Sequence, residues 1–302
     1  MPSLKDLKVR IKSVKSTQKI TKAMKVVAAA KLNRARSAAE SARPYAQAME
    51  AMVARLASGA KGQANLPVLL GGTGNDTIEL LIVVTADRGL SGAFNSSIVR
   101  AAKKRIRELQ AAGKTVKIYT IGRKGRDWLS GEFKSLFIGS KVDVAKGTSY
   151  RMAESVAEEI FADMDKNGID RITMLYNQFR SVISQVVTFQ QLMPLVVSPQ
   201  SLVVSKEKAD DSRLTTHDSS YEYEPSEEAI LADLLPRNFA MQIFSALLEN
   251  NAGFYGAQMN AMENATKNAG EMIKKLTLKY NRTRQANITK ELIEIISGAE
   301  AI

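Results

Sequence analysis

The C-terminal stretch from Met259 to about Ser297 limits what this chain can fold into more than any other segment. Apolar and small residues recur there at alternating steps of three and four, the spacing of a coiled-coil seam. The seam residues are Met259, Met262, Thr266, Ala269, Ile273, Leu276, Tyr280, Thr283 and Asn287. No proline interrupts the stretch, and its one glycine, Gly270, costs a helix about 1 kcal/mol. The pattern predicts a long helix that begins near Ser226 and needs a partner for its stripe.

Residues 3 to 57 predict a second long helix with the same spacing. Its seam starts with Leu4, Leu7, Ile11, Val14, Gln18 and Thr21. We expect the register to slip between Thr21 and Met24, because apolar and small residues then follow a shifted series. That series is Met24, Ala28, Lys31, Ala35, Ala38, Ala42, Tyr45, Met49, Met52 and Leu56. A slip of this kind changes the local winding of a coiled coil.

The middle of the chain has the pattern of an α/β domain. A glycine-rich linker, Ser58 to Asp76, precedes alternating strands and helices, which favour a mostly parallel, Rossmann-like sheet. The predicted strands are Glu79–Val84, Val116–Ile121, Lys134–Ile138, Arg171–Tyr176 and Val182–Gln190, the last pair antiparallel across the turn Asn177–Ser181. The predicted helices are Ala93–Ala112, Arg123–Leu129 and Lys146–Asn167.

The fold class predicted is therefore α/β, with an antiparallel coiled coil of the two terminal helices. The expected domains are 1–58 for the first helix, 59–224 for the globular part with its linkers, and 225–302 for the last helix. Because the last helix is longer than the first, its end from about Asn281 to Ile302 should lack an intrachain partner. That end is apolar, and we hypothesise that another protein houses it.

Composition excludes several kinds of site. The sequence has no cysteine, which removes disulfides and thiolate chemistry. Its one histidine, His217, lies in a polar loop, so a histidine triad or multi-histidine metal site is not expected. No apolar run is long enough to predict a membrane span. We predict no catalytic, cofactor or metal site.

The chain is strongly basic, with a net charge of +12, and the excess of lysine and arginine is concentrated in the first helix. A basic helix is typical of contact with nucleic acid, a membrane surface or an acidic protein. No aromatic residue lies among the basic ones before Tyr45, which counts against binding of single-stranded nucleic acid.

The turn Thr85–Gly92, which contains Asp87, Arg88 and Gly89, follows a strand and precedes a helix. Proteins with α/β folds bind nucleotides at turns in this position. This turn matches neither common phosphate-binding motif, and the Asp87 carboxylate would repel a phosphate. Three classes of function stay open on these residues. They are a structural subunit whose helices insert into an assembly, a nucleotide-dependent α/β enzyme with helical oligomerisation arms, and a nucleic-acid binder.

Four motifs resemble those of the gamma subunits of bacterial F-type ATP synthases. They are Ile11–Met24, Asp87–Gly92 with Asn95, Tyr221–Pro225 and Asn281–Leu292, in the family's order from one end of the chain to the other. The resemblance implies a central-stalk rotor that transmits torque between a proton-driven c-ring and a catalytic ring of alpha and beta subunits, with the catalytic sites on the ring. It implies epsilon as a further partner, leaves room for a small inhibitor protein, and implies no nucleic acid. The implied location is peripheral, on the cytoplasmic side of the inner membrane.

The resemblance also implies roles for individual residues. Met24 would contact the beta subunit and affect coupling, facing Arg284, Gln285 and Thr289 on the other helix. The tip inserted into the sleeve would carry Ile288, Leu292, Ile295 and Ile296, and Tyr223 and Glu224 would lie near the c-ring and epsilon. The chain departs from the family's usual Ser-Glu at Gly253-Phe254 and from its arginine at Gln258.

Overall fold

A computed structural model describes residues 3–59, 66–144, 148–195 and 227–300. The helices are α1 (Leu4–Gly59), α2 (Val68–Gly71), α3 (Phe94–Ala111), α4 (Arg123–Phe133), α5 (Tyr150–Asn167) and α6 (Glu227–Glu300). The strands are β1 (Ile78–Val84), β2 (Thr115–Ile121), β3 (Phe137–Lys141), β4 (Arg171–Phe179) and β5 (Gln185–Met193). The chain divides into two compact units, a helical unit of Met1–Ala30 with Gln258–Ile302 and an α/β unit of Lys31–Ala257.

The helical unit pairs the start of α1 with the second half of α6. Lys25 contacts Glu263, whereas Gln18 and Thr21 contact Thr266, so residue numbers fall in α6 as they rise in α1. The two helices are therefore antiparallel, as the sequence predicts. The predicted seam of α6 is buried or half-buried from Met259 through Thr283, while Asn287 is exposed.

The α/β unit is built on a five-stranded sheet in the order β3-β2-β1-β4-β5. Three neighbouring pairs are parallel, and β4 and β5 form the antiparallel pair that the short connection between them predicts. The strand β4 extends beyond the expected end at Tyr176, whereas β5 both begins and ends later than the expected Val182–Gln190, and the turn lies at Arg180–Ser184. The expected strand at Lys134–Ile138 is a 3-10 turn over Lys134–Leu136 followed by β3.

The central strand β1 is covered on both faces, which explains its continuous apolar run. Leu80 and Ile82 pack in one core cluster with α5 and α6, whereas Leu81 and Val83 pack in another with α3 and α4. Successive side chains of a strand point to opposite faces, so one short segment anchors helices on both sides. The α/β fold class with long terminal helices is confirmed.

The expected register slip in α1 is wrong. Residues that are buried or half-buried follow one unbroken alternation of three and four along the helix: Leu4, Leu7, Ile11, Val14, Gln18, Thr21, Lys25, Ala28, Leu32, Ala35, Ala39, Ala42, Ala46, Met49, Val53 and Leu56. Lys31, Ala38, Tyr45 and Met52, which the slipped series places in the seam, are exposed. The Lys31 ammonium instead lies 5.5 Å from the centre of the Tyr255 ring. The sequence pattern suggests a slip because Lys25, a charged residue, takes a seam position.

Candidate partner-contact surfaces

A polar layer joins the two helices of the helical unit. The Thr266 hydroxyl donates to the Thr21 hydroxyl oxygen at 2.8 Å, and Thr21 donates in turn to the Gln18 carbonyl at 3.1 Å. A Cβ on Gly270 would lie 3.0 Å from Gln18 Nε2, so the glycine leaves room for the glutamine side chain. Small residues at this layer let the helices approach closely.

An ion pair lies beside this layer. Lys25 Nζ contacts Glu263 Oε1 at 3.0 Å, and Met24 is half-buried next to it in sequence. The register that these contacts define contradicts the expectation that Met24 faces Arg284, Gln285 and Thr289. At a rise of 1.5 Å per residue, Arg284 lies roughly 30 Å along α6 from Glu263. The structure therefore does not bring these predicted site residues together.

The same register explains where pairing along α6 ends. Thr21 pairs with Thr266, so the first residues of α1 fall opposite about Thr283, which is the last half-buried position of the seam. Residues 284–297, which we call the tip, are exposed without a break. Arg284 and Gln285 begin the tip, and the Thr289 hydroxyl donates to the Gln285 carbonyl at 3.0 Å.

The tip is apolar as well as exposed. Ile288 and Leu292 are each 53% exposed, and Ile295 is 71% exposed. Ile293 and Ile296 are exposed beside them. Recurring at steps of three and four, these side chains form a stripe that no residue of the described chain covers.

The turn after β1 is held by side chains rather than left open. Asp87 Oδ1 accepts the backbone amides of Arg123 and Asp143, each at 3.0 Å. Asn95 Oδ1 accepts the Ala86 amide at 3.0 Å, and its Nδ2 donates to the Arg88 carbonyl at 3.0 Å. Arg123 is the first residue of α4, so Asp87 occupies the amide end of that helix, the position that an anion would otherwise take. This arrangement favours a structural turn, with Gly89 as part of it, over a phosphate site.

The neighbouring turn is equally tight. Thr85 Oγ1 accepts the Gly125 amide at 2.8 Å, and Gly122 has a φ of 101°. A Cβ on Gly122 would lie 2.2 Å from the Thr85 carbonyl oxygen, so only glycine fits there. The turn after β2 therefore packs closely against Thr85 at the end of β1.

The buried carboxylate of Asp170 lies at the opposite end of the sheet. Asp170 accepts hydrogen bonds from the hydroxyls of Thr73 and Thr77 and from the amides of Thr77 and Ile78. Although burial opposes ionisation, these hydrogen bonds together lower the pKa of Asp170 to about 2. The carboxylate ties the segment before β1 to the start of β4.

The departure at Gly253-Phe254 has a clear structural role. Phe254 is 3% exposed and packs edge-on against Phe94, with ring centres 5.9 Å apart. A Cβ on Gly253 would lie 3.1 Å from that Phe94 ring. The chain therefore uses apolar packing against α3 at the place where the family often has a polar pair. Gln258, the other departure, is half-buried.

One surface of the α/β unit was not singled out from the sequence. A groove of about 550 Å³ along α3 is lined by Ser96, Val99, Arg100, Lys103, Lys104, Arg107, Glu108 and Trp128. Its four basic residues follow helical spacing of three and four, a signal that the sequence does contain. Tyr223 and Glu224, by contrast, lie outside the described residues. Among the residues that are described, no helix is both long and apolar enough to cross a membrane.

Comparison with known proteins places the chain in a family. The family model described as ATP synthase matches residues 3–302. Proteins named ATP synthase gamma chain from Rhodopseudomonas palustris strain TIE-1 and Fuscovulum blasticum are 55% and 57% identical, each over all of both chains.

Solved structures agree on the fold. A chain from the central stalk and c-ring of Tetrahymena thermophila mitochondrial ATP synthase is 29% identical, with a TM-score of 0.59 over 82% of this chain and 99% of that one. A chain of the Euglena gracilis mitochondrial enzyme is 20% identical, with a TM-score of 0.66 over 99% and 94%, and supports the fold alone. With the arrangement of helices, sheet and exposed tip, these matches establish that the chain belongs to the ATP synthase gamma-chain family.

Proposed function

We propose that this chain is the central-stalk rotor subunit of an F-type ATP synthase. It transmits torque between a proton-driven c-ring and a catalytic ring of alpha and beta subunits, and so couples proton transport to ATP synthesis and hydrolysis. The chain itself is non-catalytic in this proposal. The observation that carries the proposal is the exposed apolar tip of α6.

An exposed stripe of isoleucine and leucine is unfavourable in water, because each buried side chain of this size gains about 1.5–3 kcal/mol. Ile288, Leu292, Ile295 and Ile296 therefore suit a sleeve supplied by other subunits, which we assign to the alpha and beta ring. Arg284, Gln285 and Thr289, at the base of the tip, would meet the beta subunit where the sleeve begins.

The first helix supports a second contact. Lys19 and Lys22 are exposed on α1, and Lys25 makes the ion pair with Glu263 beside Met24. Cations on an exposed helix attract acidic surfaces over about 10 Å at moderate salt. We propose that Met24 and these lysines face the beta subunit, and that Met24 affects coupling there without Arg284.

The remaining partners follow from the rotor assignment. The α/β unit would stand on the c-ring together with epsilon, with Tyr223 and Glu224 near that contact and the turn at Asp87, Arg88 and Gly89 preserving its shape. The chain would then be a peripheral protein on the cytoplasmic side of the bacterial inner membrane. The arrangement of Asp87 argues for this assignment over a nucleotide-dependent enzyme, since the carboxylate already accepts the amides of Arg123 and Asp143.

The tip provides the test. Serine at all four of Ile288, Leu292, Ile295 and Ile296 should leave the unfolding of the isolated chain unchanged, because all four side chains are exposed. In membranes of cells that carry this variant as their only copy, we expect proton-driven ATP synthesis and recovery of the assembled complex to fall at least tenfold. The matched control replaces the isoleucines with valine and Leu292 with methionine, which keeps the tip apolar.

The control should assemble and synthesise ATP at close to the parental rate. Parental synthesis by the serine variant would overturn the proposed insertion of the tip. Equal loss in both variants would also count against it, because shape rather than apolar burial would then be responsible.

A further inference from the structure

The groove along α3 combines charge with an exposed aromatic ring. Arg100, Lys103, Lys104 and Arg107 lie on one face of α3, and Trp128 of α4, 43% exposed, forms part of the wall. Lys124 Nζ lies 5.9 Å from the centre of the Trp128 ring. Tryptophan and arginine are, with tyrosine, the residues enriched at the energetic centres of protein interfaces.

The charges of the groove are only partly balanced within the chain. Lys103 and Arg107 both contact the Glu132 carboxylate at 2.7 Å, and Lys104 lies 3.8 Å from Glu108. Arg100 forms no ion pair with any residue in the described ranges and is exposed. Four cationic side chains thus face two carboxylates, which leaves the groove positive, with Arg100 open to a further anion.

The contacts of Glu132 show which anion the groove fits. Its two carboxylate oxygens are each held by one cation, so side-chain carboxylates already bind on this face with short, charge-assisted bonds. The apolar part of the wall, formed by Val99 and Trp128, offers an adjacent surface for an uncharged side chain. A segment of polypeptide that carries both kinds of side chain matches this pairing better than a free anion does.

We propose that this groove is a docking site for an acidic segment of a partner protein. One carboxylate of that segment binds Arg100, and a neighbouring apolar side chain packs on Trp128. The inference rests on the proposed function, because the partner is another subunit of the assembled complex.

The test uses the purified complex that contains the full-length chain. Trp128 is replaced by the photoreactive residue benzoylphenylalanine, and crosslinked peptides are identified by mass spectrometry after irradiation. We expect a crosslink to another subunit within a segment that carries several aspartate or glutamate residues. Adding Arg100→Glu should lower the crosslink yield at least fivefold, whereas Arg100→Lys and Arg151→Glu, which changes an exposed cation on α5, should not.

The same photoreactive residue at Leu292 separates this inference from the proposed function. A crosslink from position 292 to alpha or beta, with none from position 128, would overturn the docking site and leave the rotor assignment in place. A crosslink from 128 to lipid, or to a segment without acidic residues, would also overturn it. Failure at both positions would overturn the rotor assignment and the docking site together.

Discussion

The Thr266 hydroxyl donates a hydrogen bond to the Thr21 hydroxyl oxygen at 2.8 Å, in the seam between the two long helices. Thr21 is buried and its hydroxyl donates in turn to the Gln18 carbonyl, while the Thr266 hydroxyl also lies 2.7 Å from the Met262 carbonyl oxygen. Polar layers of this kind fix the register of paired helices at some cost in stability.

Removing one hydroxyl or both should therefore have different effects. Thr266→Val leaves the Thr21 oxygen without its donor and should lower the free energy of unfolding by about 1 kcal/mol. The double variant Thr21→Val with Thr266→Val buries two apolar side chains of similar shape and should be as stable as the parent or more stable. Chemical denaturation of the isolated chain measures both, with Thr277→Val as an exposed control. Additive losses in the double variant would show that the two hydroxyls do not act as a pair.

The corrected seam of α1 makes its own prediction about two adjacent residues. Val53 is fully buried against Leu56, Leu231 and Leu235, whereas Met52 is 44% exposed. Val53→Ala should cost about 2 kcal/mol of stability through lost burial and a residual cavity. Met52→Ala should change stability by less than about 0.5 kcal/mol. Thermal unfolding of the two variants distinguishes the unbroken register from the slipped one, which requires the opposite order.

The Asp170 carboxylate predicts a specific dependence of stability on pH. Its folded pKa of about 2 lies below the value of about 3.9 expected in the unfolded chain. The carboxylate therefore contributes stability that is fully present above about pH 5 and is lost as pH falls towards 2. Asp170→Asn should lower the free energy of unfolding by about 2 kcal/mol at pH 7, a difference that shrinks between pH 5 and pH 2.

Asp233→Asn is the control for that measurement, because Asp233 makes an exposed pair with Arg237 within one helix. Such pairs contribute little, so this variant should track the parent across the same pH range. A difference between Asp170→Asn and the parent that stays constant down to pH 2 would contradict the assigned role of the Asp170 charge.

Periodicity alone was enough to predict the elements whose burial is regular. The seam from Met259 to Thr283 was predictable because one face of the helix is covered along its length. The strand Leu80–Val84 was predictable because both of its faces are covered. The length difference between the two helices likewise placed the unpartnered tip correctly, because α6 continues beyond the point where it lies opposite the first residues of α1.

Side chains with mixed character were harder to place. Lys25 takes a seam position because its long stem can lie along the helix pair while its ammonium reaches Glu263. A pattern of apolar residues does not show this, so every second position of the expected series lies one residue too early. The other buried or half-buried residues at those positions are Leu32, Ala39, Ala46 and Val53. The position of Met24 relative to Arg284 depends on which residues pair across two helices, which neither helix's own spacing determines.

The unbroken alternation along α1 also restricts how this helix could change in length. Each added residue turns everything after it by about 100°, so a single insertion after Ala28 would move Leu32 and Val53 towards water. Seven added residues would return them almost to their starting face, with a drift of about 20°. Natural or engineered variants of this helix should therefore tolerate an insertion of about seven residues far better than an insertion of one.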